Sequence, residues 1–204
     1  MARLEDLQDA ALRAIGRNVL NFQKMEGMLK FIVSSTGAIG SARATEQPME
    51  ELERSIKNRK KAIKRLPMGR LAEALSTSLQ SGKGDQAGTV GSEDRISINV
   101  SFTIDDDEFV RDLTLSLDTI VRERNDLIHT RLLRFDRNSK ESCEALIRDL
   151  DAQRERTKPL YEALFAIGSS LREVYADLDK YANSEKLADD VIHANEKRGD
   201  ILPD

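Results

Sequence analysis

The strongest structural pattern in the sequence lies in residues 105–135, DDDEFVRDLTLSLDTIVRERNDLIHTRLLRF. It opens with four acidic residues, Asp105 to Glu108, which is typical of a helix start because carboxylates cap free amide groups and favour the positive end of the helix dipole. Apolar residues then recur every three or four positions, as they do on the buried face of a helix. They are Leu113, Leu117, Ile120, Leu127, Ile128 and Leu132. The stretch is therefore predicted to form one long amphipathic helix.

The same three- and four-residue spacing predicts helices on both sides of this stretch. The segments are residues 3–35, 48–66, 70–79 and 140–182. Pro159 falls inside the last of them, where a kink is expected because proline removes one backbone donor. Residues 36–45 contain turn-forming residues and no apolar period, so we expect a loop there.

One segment has a different period. Between residues 96 and 104, apolar and polar residues alternate strictly, which predicts a half-buried β-strand. A lone strand leaves half of its backbone groups unpaired. Two partners are open: the weak stretch 87–91, which would make a small hairpin, or the same strand of a second subunit.

Together these patterns predict an all-α, up-and-down helical bundle with a small β insertion. The bundle spans residues 1–182 and includes the insertion at 82–104. A polar C-terminal tail follows at 183–204. The chain has 204 residues, of which 39% are hydrophobic and 33% are charged. This length and hydrophobic content are enough for one good hydrophobic core.

Composition excludes several classes of function. No run of 18 apolar residues is present, so no membrane-spanning segment is expected. The chain has one cysteine, Cys143, so no internal disulfide is possible and a cytoplasmic location is expected. One cysteine and two histidines cannot assemble a structural zinc site, and neither a metal nor another cofactor is expected. Nucleophilic or acid–base chemistry that needs an imidazole has only His129 or His193 available.

His129 has chemically useful neighbours on the 105–135 helix. Arg124 follows Ile120 by one turn, so it lies on or beside the apolar stripe. Asn125 and His129 are four residues apart and share a face. An arginine can hold a phosphate in its planar fork, and an imidazole exchanges a proton near neutral pH. The three side chains together suit a phosphodiester.

The segment Arg124-Asn-Asp-Leu-Ile-His129 resembles the motif of the HEPN superfamily, in which an arginine, a polar residue and three further residues precede a histidine. The resemblance covers the bundle, roughly residues 1–182, although its specificity depends on these six residues. It implies an all-α domain with the motif on a late helix. Many members are metal-independent ribonucleases of toxin–antitoxin, CRISPR and anti-phage systems.

The resemblance also implies roles for the matching residues. Arg124 would stabilise the charged transition state, His129 would act as general base or acid, and Asn125 would position them. RNA would be cleaved through its 2′-OH, leaving a 2′,3′-cyclic phosphate, and DNA would resist. Such enzymes usually form homodimers with a composite active site, and toxins among them have an antitoxin partner. One toxin branch is controlled by nucleotidylation of a tyrosine two places after the histidine. Arg131 stands there in this chain, which puts that control in doubt.

Other residues are candidates for supporting roles. Arg122 and Arg131 flank the motif and would touch phosphates, or would pair with Glu123 or Asp126 instead. Six of the nine residues 57–65 are basic, including Lys60 and Lys61, and this run would guide an RNA backbone or form a solvated helix face.

Glu26 is a further candidate for site support. It falls on the apolar face of the first predicted helix, where a carboxylate needs a cation. Arg124 or a neighbouring base would supply that cation. The alternative is that Glu26 is an edge residue that reaches water.

The favoured hypothesis is a homodimeric, metal-independent endoribonuclease that acts as a toxin or anti-phage defence effector. The alternative is a non-catalytic helical-bundle dimer that binds RNA or a protein partner. A third hypothesis is a structural subunit whose Arg124 and His129 are ordinary surface residues.

Overall fold

The computed structural model describes residues 3–43, 48–81, 95–100 and 104–182. Within these ranges the chain is an all-α bundle with one small β element, as predicted. The elements are α1 (Leu4–Ser35), β1 (Gly37–Arg43), α2 (Pro48–Lys64), α3 (Met68–Ser81), β2 (Arg95–Val100), α4 (Asp107–Asp126), a π-helical turn (Leu127–Arg131), α5 (Leu132–Arg134) and α6 (Lys140–Ala182).

The predicted helices are confirmed, with small changes at their ends. The third helix begins at Met68, directly after Pro67, and continues to Ser81. Pro159 lies inside α6, and the kink expected there stays a prediction. The core is formed by the predicted apolar stripes, and its completely buried members include Leu29, Leu75, Leu117, Leu150 and Leu164. No helix in the described ranges has a segment apolar and long enough to cross a bilayer.

The prediction of a loop at residues 36–45 is wrong. Residues 37–43 form β1, which pairs antiparallel with β2, from Gly37 opposite Val100 to Arg43 opposite Arg95. The ladder is interrupted between Ala38 and Gly40 by a bulge. The partner found for the predicted strand is therefore a segment of its own chain that was not among the two expected. The 87–91 stretch lies outside the described residues.

The composition of β1 explains why its sequence does not show the alternation of apolar and polar residues that is typical of a strand. Its sequence, GAIGSAR, contains a single large apolar residue, Ile39, which is buried. The small residues are required because β1 packs closely on α2. A Cβ added at Gly40 would lie 2.6 Å from Cγ1 of Ile56. The small residues of β1 are therefore explained by its close approach to α2, and not by an alternation of buried and exposed side chains.

The chain divides into two compact units, Met1–Phe165 and Ala166–Asp204. The first contains α1 to α5, both strands and the start of α6, together with nearly all of the buried apolar residues. The second begins within α6, and its described part is helical up to Ala182. The predicted tail at 183–204 lies outside the described residues.

Candidate functional site

The start of α4 is capped as its acidic residues predict. The Oδ1 atom of Asp106 accepts a hydrogen bond of 2.9 Å from the backbone N–H of Phe109. The helix then buries its apolar stripe in the core: Val110, Leu113, Leu117 and Ile120. This packing determines which side of α4 faces outward at its C-terminal end, where the motif residues follow.

The helix does not remain regular through the motif. Residues Leu127–Arg131 form a π-helical turn, in which the N–H of Leu132 bonds to the carbonyl of Leu127, five residues back. In an α-helix, residues five apart point about 140° away from each other. The wider π turn brings such residues closer together. Arg131 and Asp126 show the effect, because the Arg131 Nε lies 2.5 Å from the Asp126 Oδ2.

The motif residues lie on the surface at and before this turn. Arg124 is half-buried, whereas Asn125 and His129 are exposed. The Nη1 atom of Arg124 donates a hydrogen bond of 3.1 Å to Oδ1 of Asn125, so this pair is joined directly. His129 lies inside the π turn, which rotates it back toward the side of Arg124 relative to a regular helix. Among the described residues, no side chain is hydrogen-bonded to its imidazole.

Arg131 is committed to carboxylates. Besides Asp126, its guanidinium lies 3.8 Å from the Asp149 carboxylate and 4.0 Å from that of Glu123. Partial burial disfavours its charge, but the hydrogen bond to Asp126 and the attraction of the three carboxylates outweigh this and raise the pKa of Arg131 above its ordinary value. Of the two roles that the sequence allowed for Arg131, the structure shows pairing with Glu123 and Asp126.

Arg122, the other flanking arginine, is exposed. Its Nη2 atom donates a long hydrogen bond of 3.3 Å to the Thr119 hydroxyl, one turn earlier. It also lines a shallow cleft together with Gly69 of α3 and the carboxylates of Glu73 and Asp118. Its guanidinium is exposed and has no salt bridge within the described ranges, so it can still contact an anionic ligand.

A buried polar network, which was not predicted from the sequence, lies directly behind the motif. Gln153 of α6 is completely buried, and its Nε2 donates to the backbone carbonyl of Glu123 at 3.1 Å and to the Glu123 carboxylate at 2.9 Å. Its Oε1 accepts from the amide of Asn18, on α1, at 3.0 Å. Arg156 holds the other carboxylate oxygen of Glu123 at 2.8 Å. Three helices are therefore joined at the residue that precedes Arg124.

A signal for this network was present in the sequence. Asn18 occupies the helical spacing between Ala14 and Phe22, and Gln153 follows Leu150 by three residues. Both positions belong to apolar stripes, where an amide must find a hydrogen-bond partner because an unpaired buried polar group is unfavourable. An amide side chain within an apolar stripe therefore predicts a buried hydrogen bond, although the sequence does not show which residue is the partner.

The basic side chains of residues 57–65, which cover the end of α2 and the residue after it, have two different roles. Arg59 is half-buried, and its Nη2 donates to the carbonyls of Val33 at 2.9 Å and Thr36 at 2.7 Å. It thereby satisfies free carbonyl groups at the C-terminal end of α1. The other five basic side chains are exposed, and none has a salt bridge within the described part of the chain. They are Lys57, Lys60, Lys61, Lys64 and Arg65.

Glu26 finds its cation on its own helix. Its carboxylate lies 2.6 Å from Nζ of Lys30, one turn later, and both side chains are largely shielded from solvent. No contact with Arg124 is seen. The expectation that Arg124 neutralises Glu26 therefore has no support in the described residues.

Within the described ranges, no group of three or more His, Cys, Asp or Glu side chains is placed to hold a metal ion. Comparison with known proteins finds no family model, no curated protein and no solved structure that matches this chain.

Proposed function

We propose that this protein is a metal-independent endoribonuclease whose reacting groups are Arg124, Asn125 and His129. The observation that supports this best is the π-helical turn at Leu127–Arg131. It places an exposed imidazole on a widened helical turn directly after a hydrogen-bonded Arg124–Asn125 pair. Widened turns of this kind occur frequently at functional sites.

The chemistry needs few groups. His129 takes the proton of an RNA 2′-OH, the 2′-oxygen attacks the adjacent phosphorus, and the bond from phosphorus to the 5′-oxygen breaks. Arg124 stabilises the charge that develops on the phosphoryl oxygens, and Asn125 holds the guanidinium in place. The products are a 2′,3′-cyclic phosphate and a 5′-hydroxyl. DNA is not cleaved, because it lacks the attacking hydroxyl.

The departing 5′-oxygen needs a proton, and a single chain offers one histidine at this site. A second copy of the chain would supply the general acid, so the proposed active unit is a homodimer with a composite site. This requirement comes from the chemistry, since each imidazole is either base or acid at a given moment.

The exposed lysines of α2 provide a means of holding RNA. Lys60 and Lys61, with their basic neighbours, offer positive charge that is not neutralised by carboxylates in the described part of the chain. Such charge binds a phosphate backbone without regard to sequence. Arg122 is open and is retained as a substrate contact. Arg131 is not proposed as a substrate contact, because three carboxylates already share its charge.

A nuclease with so little built-in selectivity would damage its own cell unless controlled. We therefore infer a toxin or anti-phage effector that acts in the cytoplasm and is restrained by a protein partner such as an antitoxin. The alternative function, an RNA-binding dimer without cleavage, is favoured by one observation: His129 is not bonded to Arg124 in the described structure, whereas the basic face of α2 is fully formed.

The decisive experiment incubates the purified full-length protein with end-labelled RNA in excess EDTA and analyses the product ends. We expect cyclic phosphate ends with the wild type, and loss of cleavage in His129→Ala and in Arg124→Ala. Matched controls are His193→Ala, the other histidine, and Arg111→Ala, an exposed arginine earlier on α4. Undiminished cleavage in both motif variants would exclude this site. Retained RNA binding without cleavage by the wild type would establish the alternative.

A further inference from the structure

A cleft of about 360 Å³ opens between α1 and α6, within the first compact unit. From α1 it is lined by Arg17, Asn21 and Met25, and from α6 by Arg154, Lys158 and Tyr161. None of the proposed reacting groups lines it, so whatever it holds is separate from the phosphodiester that would be cut. Its volume falls within the range of small-molecule sites.

The walls of the cleft follow from helical spacing. The three α1 residues are each four positions apart, so they lie above one another on one side of the helix. On α6, Lys158 follows Arg154 by four positions and Tyr161 follows Lys158 by three, which again gives a single side. Two regular ladders of side chains therefore face each other across the cleft.

The rim of the cleft carries a net positive charge, because three cationic side chains and one carboxylate, that of Glu162, line it. Arg17 is neutralised by Asp151 at 2.6 Å, and Lys158 has a weak contact of 4.0 Å with Glu162. Arg154 is exposed and has no carboxylate partner within the described residues. One guanidinium and one loosely paired ammonium therefore remain for a ligand, and both are suited to an oxyanion.

The interior of the cleft is different in character. Met25 is completely buried beneath the cleft, so the apolar surface that a ligand can reach is the half-buried ring of Tyr161. Aromatic side chains favour offset or edge contact with another flat ring. Asn21 adds one amide that can bond to a polar edge of such a ring.

We infer that this cleft binds a small aromatic anion, with its ring against Tyr161 and its phosphate or carboxylate group on Arg154 and Lys158. The ligand is therefore an aryl phosphate or aryl carboxylate in chemical class. This inference does not depend on the proposed ribonuclease activity, since the two sites share no residue.

The test uses the full-length protein and four probes in ligand-observed NMR titrations: phenyl phosphate, benzoate, phenol and inorganic phosphate. The two aromatic anions are expected to bind at least about tenfold more tightly than either half-probe, because ring and charge are held together. The relative affinity of phenyl phosphate and benzoate identifies the preferred anion. Equal affinity for inorganic phosphate and phenyl phosphate, or no binding of either aromatic anion, would overturn the inference.

Variants locate the binding. Arg154→Gln and Lys158→Gln are each expected to weaken phenyl phosphate binding about tenfold, as the loss of a hydrogen bond to a charged group predicts. Tyr161→Leu is expected to weaken phenyl phosphate but not inorganic phosphate. Arg148→Gln, an exposed position on the same helix, is the control, and thermal melting checks that each variant folds. Binding unchanged in Arg154→Gln and Lys158→Gln would place the anion elsewhere. His129→Ala is expected to bind normally.

Discussion

Position 153 shows how a single buried amide organises the residues around it. The side chain of Gln153 has four polar contacts to make and no access to water, and Asn18 and Glu123 supply partners at 2.9 to 3.1 Å. One of these contacts is to the backbone carbonyl of Glu123, which also accepts from the N–H of Leu127, where the π turn begins. The amide therefore stabilises the backbone where the helix changes its geometry.

We expect Gln153→Leu to lower the free energy of unfolding by about 1–3 kcal/mol, because it leaves the Asn18 amide and the Glu123 carboxylate short of a partner while removing no volume. Urea unfolding followed by circular dichroism measures the change. Glu155→Gln, at an exposed position two residues later, is the control and is expected to be neutral. If Gln153→Leu were as stable as the wild type, the network would contribute nothing to stability.

The residues of the motif could be identified from sequence, but their arrangement could not. The spacing placed Asn125 and His129 on one helical face, and the structure joins Asn125 to Arg124 instead. The π turn changes the position of His129 relative to Asn125, and it has no local marker: residues 127–131 contain neither proline nor glycine. A widened turn of this kind is determined by tertiary packing, which a periodicity analysis does not include.

At the scale of elements, the helices were predictable and β1 was not. The helices follow from apolar stripes that recur over four or more turns. The strand β1 follows from its fit against α2, where Gly40 allows backbone to approach Ile56 and Leu52. Its Ser41 N–H also donates to the Ser55 hydroxyl of α2 at 3.2 Å. A contact between two elements determines the position of β1, so the segment looks like a loop when it is considered alone.

We expect Gly40→Ala to lower the free energy of unfolding by about 1–3 kcal/mol, since the new Cβ would lie 2.6 Å from Cγ1 of Ile56 and 3.2 Å from Cδ1 of Leu52. Thermal unfolding measures the shift. Gly27→Ala on α1 is the matched control, because a Cβ there meets nothing within 4 Å. It should stabilise the helix by about 0.5–1 kcal/mol.

Adding Ile56→Ala to Gly40→Ala separates crowding from other effects. If the clash with Ile56 causes the loss, the double variant should lose less than the sum of the two single changes. Strict additivity would mean that Gly40 is required for a different reason, such as its backbone conformation in the bulged strand.

At the scale of the whole molecule, composition and periodicity predicted the class of fold and its single main core. They could not predict which helices share polar contacts, since these depend on side chains far apart in sequence, such as Asn18 and Gln153. The candidate site was predictable only as a short local motif. The residues that support it come from other helices, and only the packed structure shows that they lie next to the motif.

The proposed homodimer leads to the last prediction. If the general base and the general acid come from two chains, activity requires that the chains associate. Sedimentation equilibrium should therefore show a dimer at the concentrations at which RNA is cleaved. Cleavage by a species that remains monomeric at those concentrations would contradict the composite site.

Mixing wild type with an inactive variant tests whether the two chains share one site. If the base of one chain works with the acid of its partner, a dimer of wild type with His129→Ala has one imidazole where two are needed and should not cleave. When equal amounts of the two proteins are unfolded together and refolded, activity should therefore fall to about a quarter of that of the same total amount of wild type, because only dimers of two wild-type chains are active. Mass spectrometry of the intact complexes verifies that mixed dimers form. Activity that falls only to about half would mean that each chain has a complete site of its own, to which the second subunit contributes no imidazole.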